Sequence, residues 1–121
     1  MRVWGDTLES LFLDAARGMI EVIKITGPSK TGTTREISLV AADKTALLVD
    51  FLNEILSLAQ TYKEIYPEVV LKKLSETEVE AELKGVPVEG FDEDIKAVTY
   101  HEAEVKQNEE GEWETMLVFD I

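Results

Sequence analysis

The chain has no cysteine, one histidine, three prolines and only 12 basic residues against 25 acidic ones. The missing cysteines exclude disulfides, zinc–thiolate centres and thiol nucleophiles, and they suit a reducing compartment. With His101 as the lone imidazole, a zinc site would want more nitrogen or sulfur ligands than the chain owns. No serine stands in a G-x-S-x-G elbow, so a Ser-His-Asp relay lacks its nucleophile. The turn-rich stretch Gly27 to Thr34 has Lys30 ahead of Gly32, the wrong order for a G-x-x-x-x-G-K-[ST] phosphate loop. A net charge of −13 repels phosphate backbones, so no direct nucleic-acid contact is expected. A metal ion or a basic protein surface fits that charge better. No run is long and apolar enough to span a bilayer, and no apolar core of a signal peptide follows Met1, so a cytoplasmic protein without membrane contact is expected. Asn and Gln are scarce while Glu and Lys abound, the balance of heat-stable proteins.

What is present reads as one domain over residues 1–121, with 45% hydrophobic and 31% charged residues and neither a repeat nor a linker. Arg2 to Trp4 is a stub of a strand ended by Gly5. Asp6 and Glu9 are spaced as a capping box for a helix reaching about Lys24. Leu8, Leu11, Phe12, Ala15, Met19, Val22 and Ile23 line one side of that helix. Residues 27–34 form a loop, and Glu36 to Ala41 alternate as a strand. Asp43 offers an N-cap to a longer helix running to about Ile65 and stopped by Pro67. Its apolar arc is widened by Val49 and Leu56, as in a helix buried on more than one side, while Asp50, Asn53, Glu54 and Glu64 fall opposite. Strands follow at Val69–Leu74, Val79–Lys84, Ile95–Val105 and Glu112–Ile121, with a loop over 85–94 and Asn108–Gly111 closing the last hairpin. The order predicts an α+β fold, two amphipathic helices packed on a mostly antiparallel sheet.

Chemistry concentrates near the end. Asp120 stands beside the free carboxylate of Ile121, and two adjacent anions repel unless a cation or basic partner lies between them. Lys96 and Asp120 are charges on otherwise apolar strand faces, and buried charges must be paired or bind something. His101 shares a predicted face with Ile95, Ala97, Thr99, Ala103 and Val105, where a lone histidine is ordinarily structural. Asp50 reads by pattern as a solvated helix charge. A metal-dependent hydrolase built on Asp120 and His101 stays open at this stage.

The phrase Asp94-Ile95-Lys96-Ala97-Val98-Thr99-Tyr100-His101, with a hairpin and a closing Val118-Phe119-Asp120-Ile121, resembles the archease family. Trp4-Gly5-Asp6-Thr7-Leu8-Glu9, the helix phrase Leu47-Leu48-Val49-Asp50-Phe51-Leu52-Asn53-Glu54 and Phe91 agree in order, so the likeness spans nearly the whole chain. The resemblance implies a non-catalytic accessory that activates an RtcB-type tRNA-splicing RNA ligase by promoting its guanylylation and multiple turnover. A link to tRNA methyltransferases, as a chaperone-like modulator, is implied as the alternative. It further implies a divalent-cation site, Ca²⁺ above others, on the carboxylates of Asp120 and Ile121, and partner contact through Lys96, Asp120, His101 and Asp50. The third acid of that site belongs to an H-T-A-D phrase. By its spacing from Trp4-Gly5-Asp6, the aspartate would fall about three residues before Met1, so the first strand is expected to be cut short and the cation weakly held.

Overall fold

The computed structural model describes residues 1–23, 25–26, 32–91 and 95–121. Its first strand, β1 (Arg2–Gly5), turns sharply into α1 (Leu8–Val22). A Cβ on Gly5 would lie 2.4 Å from the Leu11 nitrogen, so only glycine permits that turn. The tightness also moves the capping box one residue on from the expected Asp6. The Thr7 hydroxyl accepts from the Ser10 N–H at 3.0 Å, and the Ser10 hydroxyl accepts from the Thr7 N–H at 3.0 Å. The predicted helix end at Lys24, the loop residues 27–31 and Asp94 lie outside the described residues.

After β2 (Ile25–Thr26) and β3 (Thr33–Val40), Asp43 caps α2 (Lys44–Tyr62) by accepting the Ala46 N–H at 2.8 Å. This helix ends before the expected Ile65. Lys63 adopts the left-handed conformation (φ 53°), donates its N–H to the Ala59 carbonyl, and swings the chain directly into β4 (Glu64–Leu74). Pro67 therefore stops no helix. It sits inside β4, where the ladder to β5 (Glu78–Pro87) skips from Ile65 to Glu68 and asks for no N–H. The winning interaction is tertiary: leaving the helix at Lys63 lets Glu64, Ile65 and Tyr66 bury themselves.

Short strands complete the chain: β6 (Gly90–Phe91), β7 (Ala97–Thr99), β8 (Lys106–Gln107), β9 (Trp113–Met116) and β10 (Val118–Asp120). Every described ladder is antiparallel, in sheets ordered β3-β5-β4, β1-β9-β8, β10-β7 and β2-β6. Residues 33–34 and 85–87, expected in loops, belong to β3 and β5, because Thr33 pairs with Gly85 and Glu64 with Pro87. The predicted Glu112–Ile121 strand is two strands, parted at buried Leu117. Leu117 and Met1 exchange both backbone bonds, each 2.7 Å, and so carry the β1–β9 register one step further. The final hairpin stands as expected, with Gly111 at φ 84° and the Asn108 N–H on the Glu112 carbonyl.

One core gathers side chains from Val3 to Leu117. α1 contributes Leu11, Phe12, Ala15, Ala16 and Met19. α2 contributes eight buried residues, Val49 and Leu56 among them, which fits a helix covered on more than one side. Phe12 and Phe51 join the helices with ring centroids 5.7 Å apart. Among the described residues no helix is long and apolar enough to cross a membrane.

Candidate partner-contact and cation site

α2 carries more than a core face. Along its other side, polar side chains take hold of the segment from Ile95 to Val105. Thr45 Oγ1 accepts the Val105 N–H at 2.9 Å, and Asp50 accepts the Tyr100 hydroxyl. Asn53 holds both backbone groups of Val98, accepting its N–H at 2.8 Å and donating to its carbonyl at 2.9 Å. Gln60 donates to the Ile95 carbonyl at 2.6 Å. Helix numbers rise as segment numbers fall, so the segment lies antiparallel along the helix. This explains why the expected strand over Ile95–Val105 contracts to β7. Several of its backbone groups are satisfied by helix side chains instead of a second strand.

The opposite edge of β7 pairs with β10, Asp120 facing Ala97 and Val118 facing Thr99. The Lys96 N–H donates to the Asp120 carbonyl at 2.7 Å. The predicted site residues thereby separate into two groups. Lys96, Asp120 and the carboxylate of Ile121 meet at one end of β7, all exposed, with Ile121 at 69%. Tyr100, His101 and Asp50 occupy the other end. His101 is in a turn, not on a strand face. The Ala103 N–H closes that turn on the Tyr100 carbonyl at 3.1 Å, and Glu102 takes a positive φ of 61°. The alternating face drawn through Ile95, His101 and Val105 breaks there. His101 stands exposed in the turn beyond the Thr99 end of β7, while Asp120 pairs with Ala97 at the other end, so the length of β7 separates the two residues of the hydrolase alternative.

Asp50 is more than a solvated charge, since its carboxylate anchors the phenol of Tyr100, which is 55% exposed. That hydrogen bond, then burial, pushes the Tyr100 pKa up to about 12. The carboxylate favours the protonated phenol, so the bond persists through neutral pH and is lost only as pH rises through the raised value. Replacing Asp50 by Asn should bring the Tyr100 titration back toward the ordinary tyrosine range, which NMR of the ring protons would read directly. An unmoved titration would mean that the two groups do not meet in solution.

Asp120 and Ile121 supply two carboxylates, and among the described residues no cluster of three or more acids or histidines could hold a metal ion. Two exposed carboxylates fit a hard cation only partially, because such ions take six or more oxygens. Sequence reasoning named Lys96, Asp120 and Ile121 but missed Thr45, Asn53 and Gln60 as the groups that hold the segment from Ile95 to Val105 against α2. A signal existed. The chain has only two asparagines and two glutamines, and one of each lies on this helix among charged neighbours.

Two helices on antiparallel sheets, with the last strand laid against β7, define an α+β protein of archease architecture. The crystal structure of an archease from Thermotoga maritima, described as a possible chaperone, superposes with TM-score 0.73 at 17% identity, covering 100% of this chain and 88% of that one. The solution structure of Methanobacterium thermoautotrophicum protein 1598 gives 0.66 at 22% identity, covering 99% and 89%. Protein archease of Methanosarcina acetivorans is 33% identical over 126 residues, covering 98% of this chain and 86% of the relative. That of Pyrococcus abyssi is 29% identical over 129 residues, covering 100% and 90%. The model of the Archease protein family matches residues 1–121, and the chain belongs to that family.

Proposed function

We propose that this protein is a non-catalytic accessory of an RtcB-type tRNA-splicing RNA ligase, promoting its guanylylation and repeated turnover. The observation that carries the reading is the β7–β10 pairing, which joins Lys96 to the Asp120–Ile121 terminus in a chain of the archease family. Net charge supports it. A chain at −13 is steered toward the basic surface with which a ligase holds RNA, while being repelled by the RNA itself. The partner surface consists of Lys96 and Asp120 at one end of β7 and His101 and Asp50 at the other.

The same terminus is proposed to take a divalent cation, Ca²⁺ above others. When bound, the ion neutralises the repulsion between the two adjacent carboxylates. Water must complete most of its shell, so affinity should be on the order of millimolar, the loose end of calcium sites. Register supports a route to a tighter site. The Met1–Leu117 pair continues β1 against β9, so a strand extended upstream in step would bring its third added residue opposite Asp120. The archease resemblance expects an aspartate at that same position.

Calorimetric Ca²⁺ titration and multiple-turnover ligation test this on three forms: the chain as given, the chain extended by an upstream strand carrying that aspartate, and the extended chain with one residue added after Ile121. The extension should tighten calcium at least tenfold, and the C-terminal addition should undo the gain. If that addition leaves both calcium affinity and ligase stimulation unchanged, the terminal-carboxylate site is wrong. Without ligase, the protein should turn over neither GTP nor cyclic-phosphate RNA. Turnover that vanishes in Asp120→Ala would replace the accessory reading with a hydrolase.

A further inference from the structure

We infer that Asn53 is a positioning residue for the Lys96–Asp120 end of the site, its side-chain amide taking the place of a strand neighbour on the inner edge of β7. The inference rests on the proposed function only for what the site does. Where the site stands is independent of it.

β7 has three residues and, among the described residues, one strand partner, too little to hold a fixed course alone. In an antiparallel pair, successive residues turn their backbone groups to opposite edges. Ala97 and Thr99, facing Asp120 and Val118, can serve β10, whereas Val98 turns toward α2. There it meets one planar group that both donates and accepts, a combination that among uncharged side chains only Asn and Gln offer in this fork. Gln60 fixes the Ile95 carbonyl one residue before Lys96. Lys96 thus lies between two clamped residues, with its own N–H on the Asp120 carbonyl. Its backbone is held from both directions and its exposed side chain is presented from a rigid base, as a contact needing sub-ångström placement requires. Asp120 inherits the same anchorage through its pairing with Ala97, and Ile121 follows it by one residue.

Asn53→Asp tests this without changing size. In an ionised carboxylate the oxygen that replaces the amide nitrogen is an acceptor set against the Val98 carbonyl, and that repulsion drives the side chain off both backbone groups, so the clamp opens. A protonated carboxyl donates again and restores it. That carbonyl favours the neutral form, so recovery should begin well above the ordinary Asp range, as pH falls from 7.5 toward about 5. At pH 7.5 the Val98 amide should exchange about tenfold faster than in the parent, and the NMR signals of Lys96 and Asp120 should shift. All three should return on acidification in Asn53→Asp and fail to return in Asn53→Ala, a difference that a merely structural role would not produce. Ligase stimulation at pH 7.5 should fall in both variants to the level of Lys96→Met. Val98, Lys96 and Asp120 signals unchanged in Asn53→Ala would overturn the inference. So would full stimulation by Asn53 variants whose Val98 amide is freed, while Lys96→Met is inactive. If Lys96→Met itself stimulates fully, the proposed function fails instead, and the pH-dependent signals alone decide the role of Asn53.

Discussion

Arg35→Met is expected to lower the melting temperature by roughly 10 °C, because breaking a buried ion pair from one side leaves the other charge uncompensated. Glu64 is 2% exposed at the point where the chain leaves α2 for β4. Arg35 reaches it from β3 with two parallel bonds, Nε to Oε1 at 2.9 Å and Nη2 to Oε2 at 3.0 Å. The Tyr66 hydroxyl adds a third bond to Oε1 at 2.9 Å, and the Arg35 guanidinium lies 3.6 Å from the centre of the Tyr62 ring. Removing the arginine leaves that carboxylate its bond from Tyr66 and little access to water. The Arg35 side chain is itself 30% exposed, which limits the loss. The arginine hydrogen bond outweighs burial and holds the Glu64 carboxyl below its usual range. A depressed folded value means stability that is present above the ordinary glutamate range and lost as pH falls through the folded one. Urea melts should therefore show the gap between the parent and Glu64→Gln narrowing on acidification. A constant gap would show that the pair does not set the pKa.

Lys96→Met is expected to leave the melting temperature within a few degrees of the parent, since the ammonium is exposed and the described residues include no ion pair to Asp120. If the protein stimulates the ligase as proposed, multiple-turnover ligation should drop by about tenfold or more, as when a charge at the centre of an interface is truncated. The substitution keeps the stem and the backbone bond to Asp120, so only the charge is lost. Parallel loss of stability and stimulation would make Lys96 structural. Intact stimulation would remove it from the partner surface.

The Arg35–Glu64 pair was illegible beforehand, and the reason is instructive. Glu64 falls on the polar side of a helix extrapolated to Ile65, and nothing within four residues of it reveals that Lys63 turns left-handed. The same blindness let Pro67 pass for the helix stop. A proline in a bulge and a proline after a helix look alike in one dimension, and the β4–β5 register distinguishes them. At the candidate site the residues at both ends of the β7–β10 pair were named, through resemblance to a family, but their division into two groups was not. That division depends on a turn after Tyr100 which alternation alone does not announce.

By itself the sequence determined what short-range physics controls. The 3.6-residue spacing of apolar side chains set α1 and the buried arc of α2, Asp43 set where α2 begins, and Asn108 to Gly111 set the last turn. Absent cysteine and excess acid bounded the chemistry before any fold was known. The tertiary structure alone decided where α2 ends, why the strand at Ile95–Val105 shrinks to three residues, and which side chains hold Lys96 beside Asp120. Each of those outcomes is a choice of hydrogen-bond partner 29 to 60 residues away, Arg35 for Glu64, Asn53 for Val98, Thr45 for Val105. Local pattern carries no information about such a choice, because a backbone amide is satisfied equally well by a strand neighbour or by an asparagine on a passing helix.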